Sequence, residues 1–423
     1  MSAPATREAL AVRFRALRHR NFRLFWAGQL VSLIGTWMQS VAQLWLMHRL
    51  TSSPLMLGLL GFCQFLPVTL LSLWAGVVAD RMDKRKLIIV TQLCALAQAV
   101  TLAAVVTTGV VQPWMVLALA FVFGMFNAFD LPARQSFLIE MVGKDDLSNA
   151  IALNSAAFNT ARVIGPAIAG VLVATIGEGG CFWINALSYI AVLAGLLRMT
   201  PMARAEVARR AAATLAEGVR YAWSVHSIRN LLLLLGVCAG IGFQYMVLLP
   251  VYARDILRAG PQAYGLMVTA FGLGSLLSAV GMTRRLDRWD LRRNLLIGLT
   301  AGGIGMGGFA WSRLLPLSFG MGFLAGFGLI LYVASTNTLL QLTTEDGFRG
   351  RIMSLYTLMF VGTAPFGALI AGGIAQRFGA PLATSVCALV LLGGALWVAY
   401  RLRILRAREA ERAVEAAVPE RVG

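Results

Sequence analysis

The chain has 423 residues, 58% of them hydrophobic and 13% charged, with a formal charge of +18 and a mean hydropathy of +0.73. Soluble domains carry about 25% charged residues, so this composition excludes an ordinary water-soluble fold. Apolar runs of the roughly 20 residues needed to cross about 30 Å of hydrocarbon recur along the whole length, which predicts a polytopic helical membrane protein.

Twelve apolar segments are predicted, at 22–48, 54–79, 87–108, 113–130, 148–174, 180–198, 231–253, 262–283, 294–312, 315–337, 352–375 and 380–400. An even number puts both termini on one side. Of the 37 Lys and Arg residues, 31 fall on or at that side, five fall on the other, and Arg162 alone lies deep within a segment. Basic residues collect in cytoplasmic loops, so both termini are expected in the cytoplasm. The charge is thus explained by topology, and nucleic acid is not expected as a partner.

The first segment is too long for the apolar region of a cleaved signal peptide and is expected to stay as helix 1. It carries Gln29, Ser32, Thr36, Gln39 and Gln43 at alternating spacings of three and four, one polar stripe on one face. Facing lipid, that stripe would leave amides unsatisfied. It is expected to face a substrate cavity or to bond a neighbouring helix. Trp37 offers a stacking surface at mid-depth. After helix 2 comes GVVADRMDKRK (76–86), with six charges in seven positions.

Helix 4 contributes Asn127 as a cavity candidate and Asp130 near its inner end. In helix 5, Ser155, Asn159 and Arg162 share a face, and a buried charge of this kind marks a functional site with a partner. Asp130 is the nearest acid in sequence to serve as that partner, and a structural Arg–Asp pair joining helices 4 and 5 is the alternative. Gly165-Pro166 suits a bend in helix 5. Residues 199–230 form a polar connection in which Leu215, Val219 and Trp223 make an apolar stripe, suited to a surface or linker helix. Gln244, Tyr245, Tyr332, Ser335 and Asn337 supply polar and aromatic groups to helices 7 and 10, while the glycines of helices 9 and 10 point to close packing.

The five cysteines are far apart, the three histidines are scattered, and no phosphate-binding loop is present. No metal, cofactor or catalytic residue is therefore expected. An internal repeat is visible at an offset of 207, where Asp80-Arg81-Met82-Asp83-Lys84-Arg85-Lys86 aligns with Asp287-Arg288-Trp289-Asp290-Leu291-Arg292-Arg293. This predicts two six-helix halves: residues 1–198, a linker at 199–230, residues 231–402, and a tail at 403–423. Two such halves around a midplane site are the architecture of secondary transporters.

On these residues the chain resembles the major facilitator superfamily, whose loop 2–3 signature G-x-x-x-D-R-x-G-R-[RK] is matched by Gly76, Asp80, Arg81, Lys84 and Arg85, with Asp83 in place of the second glycine. Residues 127–172 and 350–373 are similar to the branch of the enterobactin exporter and of macrolide and other drug efflux permeases, which commonly carries D-R-x-D-R-R there. The resemblance implies a twelve-helix all-α fold and a gate built from Asp80, Arg81 and Arg85 at the cytoplasmic ends. Gly165, Pro166 and Gly170 resemble part of the superfamily's antiporter signature, with Ala161 and Ala169 where glycines would stand. The expected function is export of a small amphipathic molecule, siderophore- or drug-like, by a monomer in the inner membrane, with proton antiport through Asp130. An importer of the same fold, or a membrane receptor or enzyme, remains as an alternative.

Overall fold

Helix ends are written into the chain by caps and breakers, and the computed structural model, which describes residues 14–200, 215–282 and 287–417, places them accordingly. Pro54 opens a helix behind Ser53, whose hydroxyl accepts from the Met56 N–H at 3.3 Å. The membrane helices are α1 (Arg20–Thr51), α2 (Pro54–Arg81), α3 (Lys84–Thr107) and α4 (Pro113–Val142). A single helical run, Leu147–Leu197, turns at Gly177 with φ 74°, a left-handed conformation that glycine adopts without strain, and so provides α5 (147–176) and α6 (178–197).

The second half repeats the pattern. It contains α7 (His226–Ile256), α8 (Pro261–Gly281), α9 (Arg288–Trp311), α10 (Leu315–Thr343), α11 (Arg349–Phe378) and α12 (Ala380–Ala417). Gly379, with φ 88°, turns α11 into α12 much as Gly177 turns α5 into α6. Among the described residues there are no strands. The outer surface is apolar, with Leu396 73% and Leu70 67% exposed, as expected of helices solvated by lipid.

The repeated charge motif folds differently in its two copies. In the first, Asp83 caps α3, its carboxylate accepting from the Lys86 N–H at 3.0 Å. In the second, Asp287 caps α9, accepting from the Asp290 N–H at 2.7 Å. Either aspartate of the pair can serve, because each stands three residues ahead of an N–H that the helix leaves without a partner.

One boundary differs from expectation. The fourth apolar segment stops at residue 130, but α4 continues to Val142, so Asp130 lies three turns inside the helix and Arg134, counted above as a loop residue, is helical. Hydropathy ends where charge begins; the helix continues because its charges find partners. In the connection, residues 201–214 lie outside the described residues, and Leu215–Ser224 forms a short helix. Tyr221 stacks on Phe348 at 4.1 Å, and Glu217 pairs with Arg351 at 2.9 Å, docking this helix on the start of α11 while Val219 and Trp223 stay exposed.

α7 is irregular. Its turns widen into π-helix at Cys238–Gly242 and Tyr252–Ile256, a distortion that frequently marks functional segments. The amide of Gln244 donates to the Ala239 carbonyl at 3.1 Å, and α11 approaches so closely at Gly367 that any side chain would collide with the Gly240 carbonyl.

Candidate functional site

The two halves meet along α2 against α11 and α5 against α8, and close approach there depends on small residues. A Cβ on Gly265 of α8 would lie 2.5 Å from the Pro166 carbonyl and 2.7 Å from the Gly170 Cα of α5. Gly58 of α2 and Gly372 of α11 meet in the same way, with a Cβ on Gly372 falling 2.9 Å from the Gly58 Cα. These contacts gather toward the face opposite the termini. There His48 of α1, fully buried, lies 2.9 Å from the Asp255 carboxylate of α7, and Arg254 donates to the His48 carbonyl at 3.3 Å. Beside them Arg49 holds Glu178 with two N–H groups, at 2.8 and 3.3 Å.

Near mid-depth the contact between halves becomes polar and aromatic. Arg162 of α5 donates to the Tyr245 hydroxyl of α7 at 3.3 Å, and its guanidinium lies 5.9 Å from the Trp37 ring of α1. Tyr245 in turn stacks on Phe271 of α8 at 4.1 Å, and Trp37 meets Phe158 edge-on at 5.8 Å. Pro166 has no N–H to donate to the Arg162 carbonyl one turn back, so this carbonyl is released from the helix ladder and abuts Gly272 of α8. Gly165 lets the same turn press against Trp37, a Cβ there falling 2.7 Å from the Trp37 Cβ. Arg162, Gly165, Pro166, Trp37 and Tyr245, selected separately from the sequence, are thus brought together.

Arg162 and Asp130 are not partners. Asp130 is 7% exposed and accepts from the Thr91 hydroxyl at 2.6 Å and the Gln92 amide at 3.1 Å, while its other oxygen takes the Arg134 Nε–H. Arg134 is its i+4 neighbour, a spacing readable in the sequence once the helix is known to continue. Arg134 also lies 5.8 Å from the Phe25 ring and keeps a buried Nη1 with no hydrogen-bond partner.

The polar stripe of α1 is shared between neighbours. Gln39 donates to Gln98 of α3 at 3.2 Å and accepts from Asn185 of α6 at 2.7 Å, and Gln43 reaches the Val116 carbonyl of α4 at 3.5 Å. The Thr36 hydroxyl donates to the Ser32 carbonyl and lies 3.4 Å from the Tyr189 hydroxyl. Gln29 is buried, and its Oε1 has no hydrogen-bond partner. Asn127 is half-buried on α4, and Asn159 donates to the Ser155 carbonyl at 2.9 Å. Tyr332 and Ser335 are fully buried in α10, Ser335 against the Met282 sulfur at 3.7 Å, and Asn337 accepts from Gln341.

On the face of the termini, Asp80 and Arg81 are exposed at the end of α2. Arg85 donates to the Leu196 and Leu197 carbonyls at 2.9 and 3.1 Å, closing the end of α6 within its own half. Lys84 pairs with Glu140 of α4 at 2.7 Å with both side chains buried, and Asp146 holds Arg15 at 2.6 Å and His19 at 2.8 Å. In the sequence Lys84 belongs only to the loop 2–3 signature, and Glu140, His48 and Asp255 carry no motif. The last two could have been found, since they are separated by 207 residues, the offset of the repeat.

Comparisons with known proteins agree with this architecture. A family profile described as transmembrane secretion effector, within the major facilitator superfamily, matches residues 11–422. The chain is 24% identical over 360 residues to the staphyloferrin A transporter of Staphylococcus aureus, covering 84% of this chain and 90% of that protein. It is 27% identical over 356 residues to the multidrug efflux pump Tap of Mycolicibacterium fortuitum, covering 80% and 85%. In three dimensions it is similar to the nucleoside transporter NupG, with a TM-score of 0.72 at 13% identity over 92% of this chain and 99% of that one. With twelve helices in two halves and a profile spanning nearly its whole length, the chain belongs to the transmembrane secretion effector family of major facilitator transporters.

Proposed function

We propose that the protein exports a small amphipathic molecule, siderophore- or drug-like, across the bacterial inner membrane by alternating access, with proton antiport and both termini in the cytoplasm. The observation that carries this reading is the similarity, over 80% or more of the chain, to proteins named for siderophore transport and multidrug efflux. The geometry supports it in two ways. The halves are drawn together toward the face opposite the termini, by Gly265 against Gly170 and by His48 against Asp255. At mid-depth, the Arg162–Tyr245 contact spans both halves beside Trp37 and Phe158, so a molecule held there touches both moving bodies.

In this cycle Asp80, Arg81 and Arg85 form the opposing cytoplasmic gate, and Asp130 is the group that exchanges a proton. The protein works as a monomer. The reading is tested in inverted membrane vesicles energised with an acid interior, using labelled erythromycin and ethidium as probes. Uptake that collapses when the proton gradient is dissipated is the expected result. Uptake confined to right-side-out vesicles would establish an importer instead.

A further inference from the structure

The duplication supplies an internal control for one pair of arginines. Arg85 and Arg292 are 207 residues apart and hold matching places in the repeat, Arg85 in the first turn of α3 and Arg292 in the second turn of α9. In the first half Arg85 bonds the Leu196 and Leu197 carbonyls, which are left over because α6 ends at Leu197. The same offset carries those two residues to Arg403 and Ile404 of α12, and α12 continues as helix to Ala417. Its carbonyls at that level are taken by the next turn, so the acceptors that hold Arg85 have no counterpart for Arg292.

Arg292 instead lines an open cleft between α7, α9, α10 and α12, with a cavity volume of about 90 Å³. Asn230, Leu295, Leu339, Trp397 and Arg401 line it too. The Arg401 guanidinium sits 5.9 Å from the Trp397 ring. Among the described residues, neither Arg292 nor Arg401 forms an ion pair with a carboxylate. The cleft therefore combines two cations, an aromatic ring and leucine walls.

We propose that this cleft binds the headgroup of an anionic membrane phospholipid, with Arg292 and Arg401 on the phosphate and the leucines against the start of the acyl chains. Its height in the membrane favours a lipid: Asn230 lies in the first turns of α7, Arg292 in the first turns of α9, and Arg401 where the apolar stretch of α12 ends. Trp at that level is an interfacial residue, and basic pockets between helices on the cytoplasmic side suit anionic headgroups. A soluble phosphate would satisfy the guanidinium groups but leave the exposed Trp397 ring and the half-buried Leu231 and Leu402 of the lining without an apolar partner.

The test is thermal unfolding of the full-length protein in detergent, titrated separately with phosphatidylglycerol, phosphatidylcholine and glycerol 3-phosphate. Phosphatidylglycerol is expected to raise the unfolding temperature well above the effect of phosphatidylcholine, and glycerol 3-phosphate to leave it unchanged. The double variant R292Q/R401Q should weaken apparent phosphatidylglycerol affinity roughly tenfold, the loss expected for charge-assisted hydrogen bonds, while R293Q, at an exposed neighbour, should not. Asn230→Asp, which keeps both arginines and adds a negative charge at the cleft, should lower the preference as well. Equal responses to the two lipids, an equal response to glycerol 3-phosphate, or an unchanged preference in both variants would overturn the proposal.

Discussion

His48 and Asp255 face each other at 2.9 Å across the junction of the two halves, and the 207 residues between them equal the offset of the internal repeat. Equivalent positions in two similar halves can meet only near the axis that relates them. The clasp therefore lies near that axis, where opening of the face opposite the termini must separate it.

Removing the clasp should favour opening on that face. Asp255→Asn is expected to lengthen the mean distance between spin labels placed at Ser52 and Ala259, in a background with the five native cysteines replaced. A hydrogen-bonded pair contributes about 0.5–1.5 kcal/mol, which corresponds to a severalfold population shift. An unchanged distance distribution would remove the clasp from the cycle.

Gly265 carries the same junction through shape rather than charge. Gly265→Val places methyl groups where the Pro166 carbonyl and the Gly170 backbone already stand, so the halves cannot close, and efflux should fall at least tenfold with the protein still inserted in the membrane. Gly373→Val, at a position with no neighbouring atom within 4 Å, is the control and should transport normally. Normal efflux by Gly265→Val would show that the packing is not needed.

Asp130→Asn keeps a side chain able to accept from Thr91 and Gln92 but removes the charge opposite Arg134. Proton-driven efflux should be lost while substrate binding persists, and the unfolding temperature should drop because a buried guanidinium is left uncompensated. The double variant Asp130→Asn/Arg134→Gln should recover stability without recovering efflux. Restored efflux in the double variant would assign the pair a purely structural part.

Lys84 and Glu140 offer a purely energetic check. Either Lys84→Met or Glu140→Leu alone leaves one buried charge unpaired, at an expected loss of roughly 3–5 kcal/mol, whereas Lys84→Met/Glu140→Leu should return close to wild type. Unfolding in detergent measures the cycle; additive losses would contradict the pairing.

At Arg162 the charge and the planar shape should both matter. Tyr245→Phe removes one hydrogen bond and is expected to raise the substrate KM about fivefold, in line with about 1 kcal/mol. Arg162→Lys keeps the charge but loses the flat face beside Trp37, and it should transport poorly. Full activity of Arg162→Lys would reduce the residue to a point charge.

The membrane helices were legible because crossing hydrocarbon demands long apolar runs, a requirement local to each segment. The repeat was legible because duplication leaves a constant offset. Helix ends were less so: α4 outlasts its apolar stretch by three turns because Asp130, Arg134 and Glu140 find partners that no window of hydropathy contains. The site was legible in its residue types but not in its pairings. Arg162 and Asp130 stood out as charges in apolar surroundings, yet their partners lie elsewhere, in Tyr245 of the other half and in Arg134 one turn away.

By itself, then, the sequence determined a twelve-helix, two-half transporter, because length, hydropathy and charge asymmetry act along the chain. Only the tertiary structure decided which polar groups meet: that Gln39 and Gln43 tie α1 to its neighbours, that Arg85 closes α6, and that its duplicate Arg292 faces an open cleft. The reason is that a hydrogen bond depends on where two helices lie side by side, and in this fold the contacting helices are tens to hundreds of residues apart.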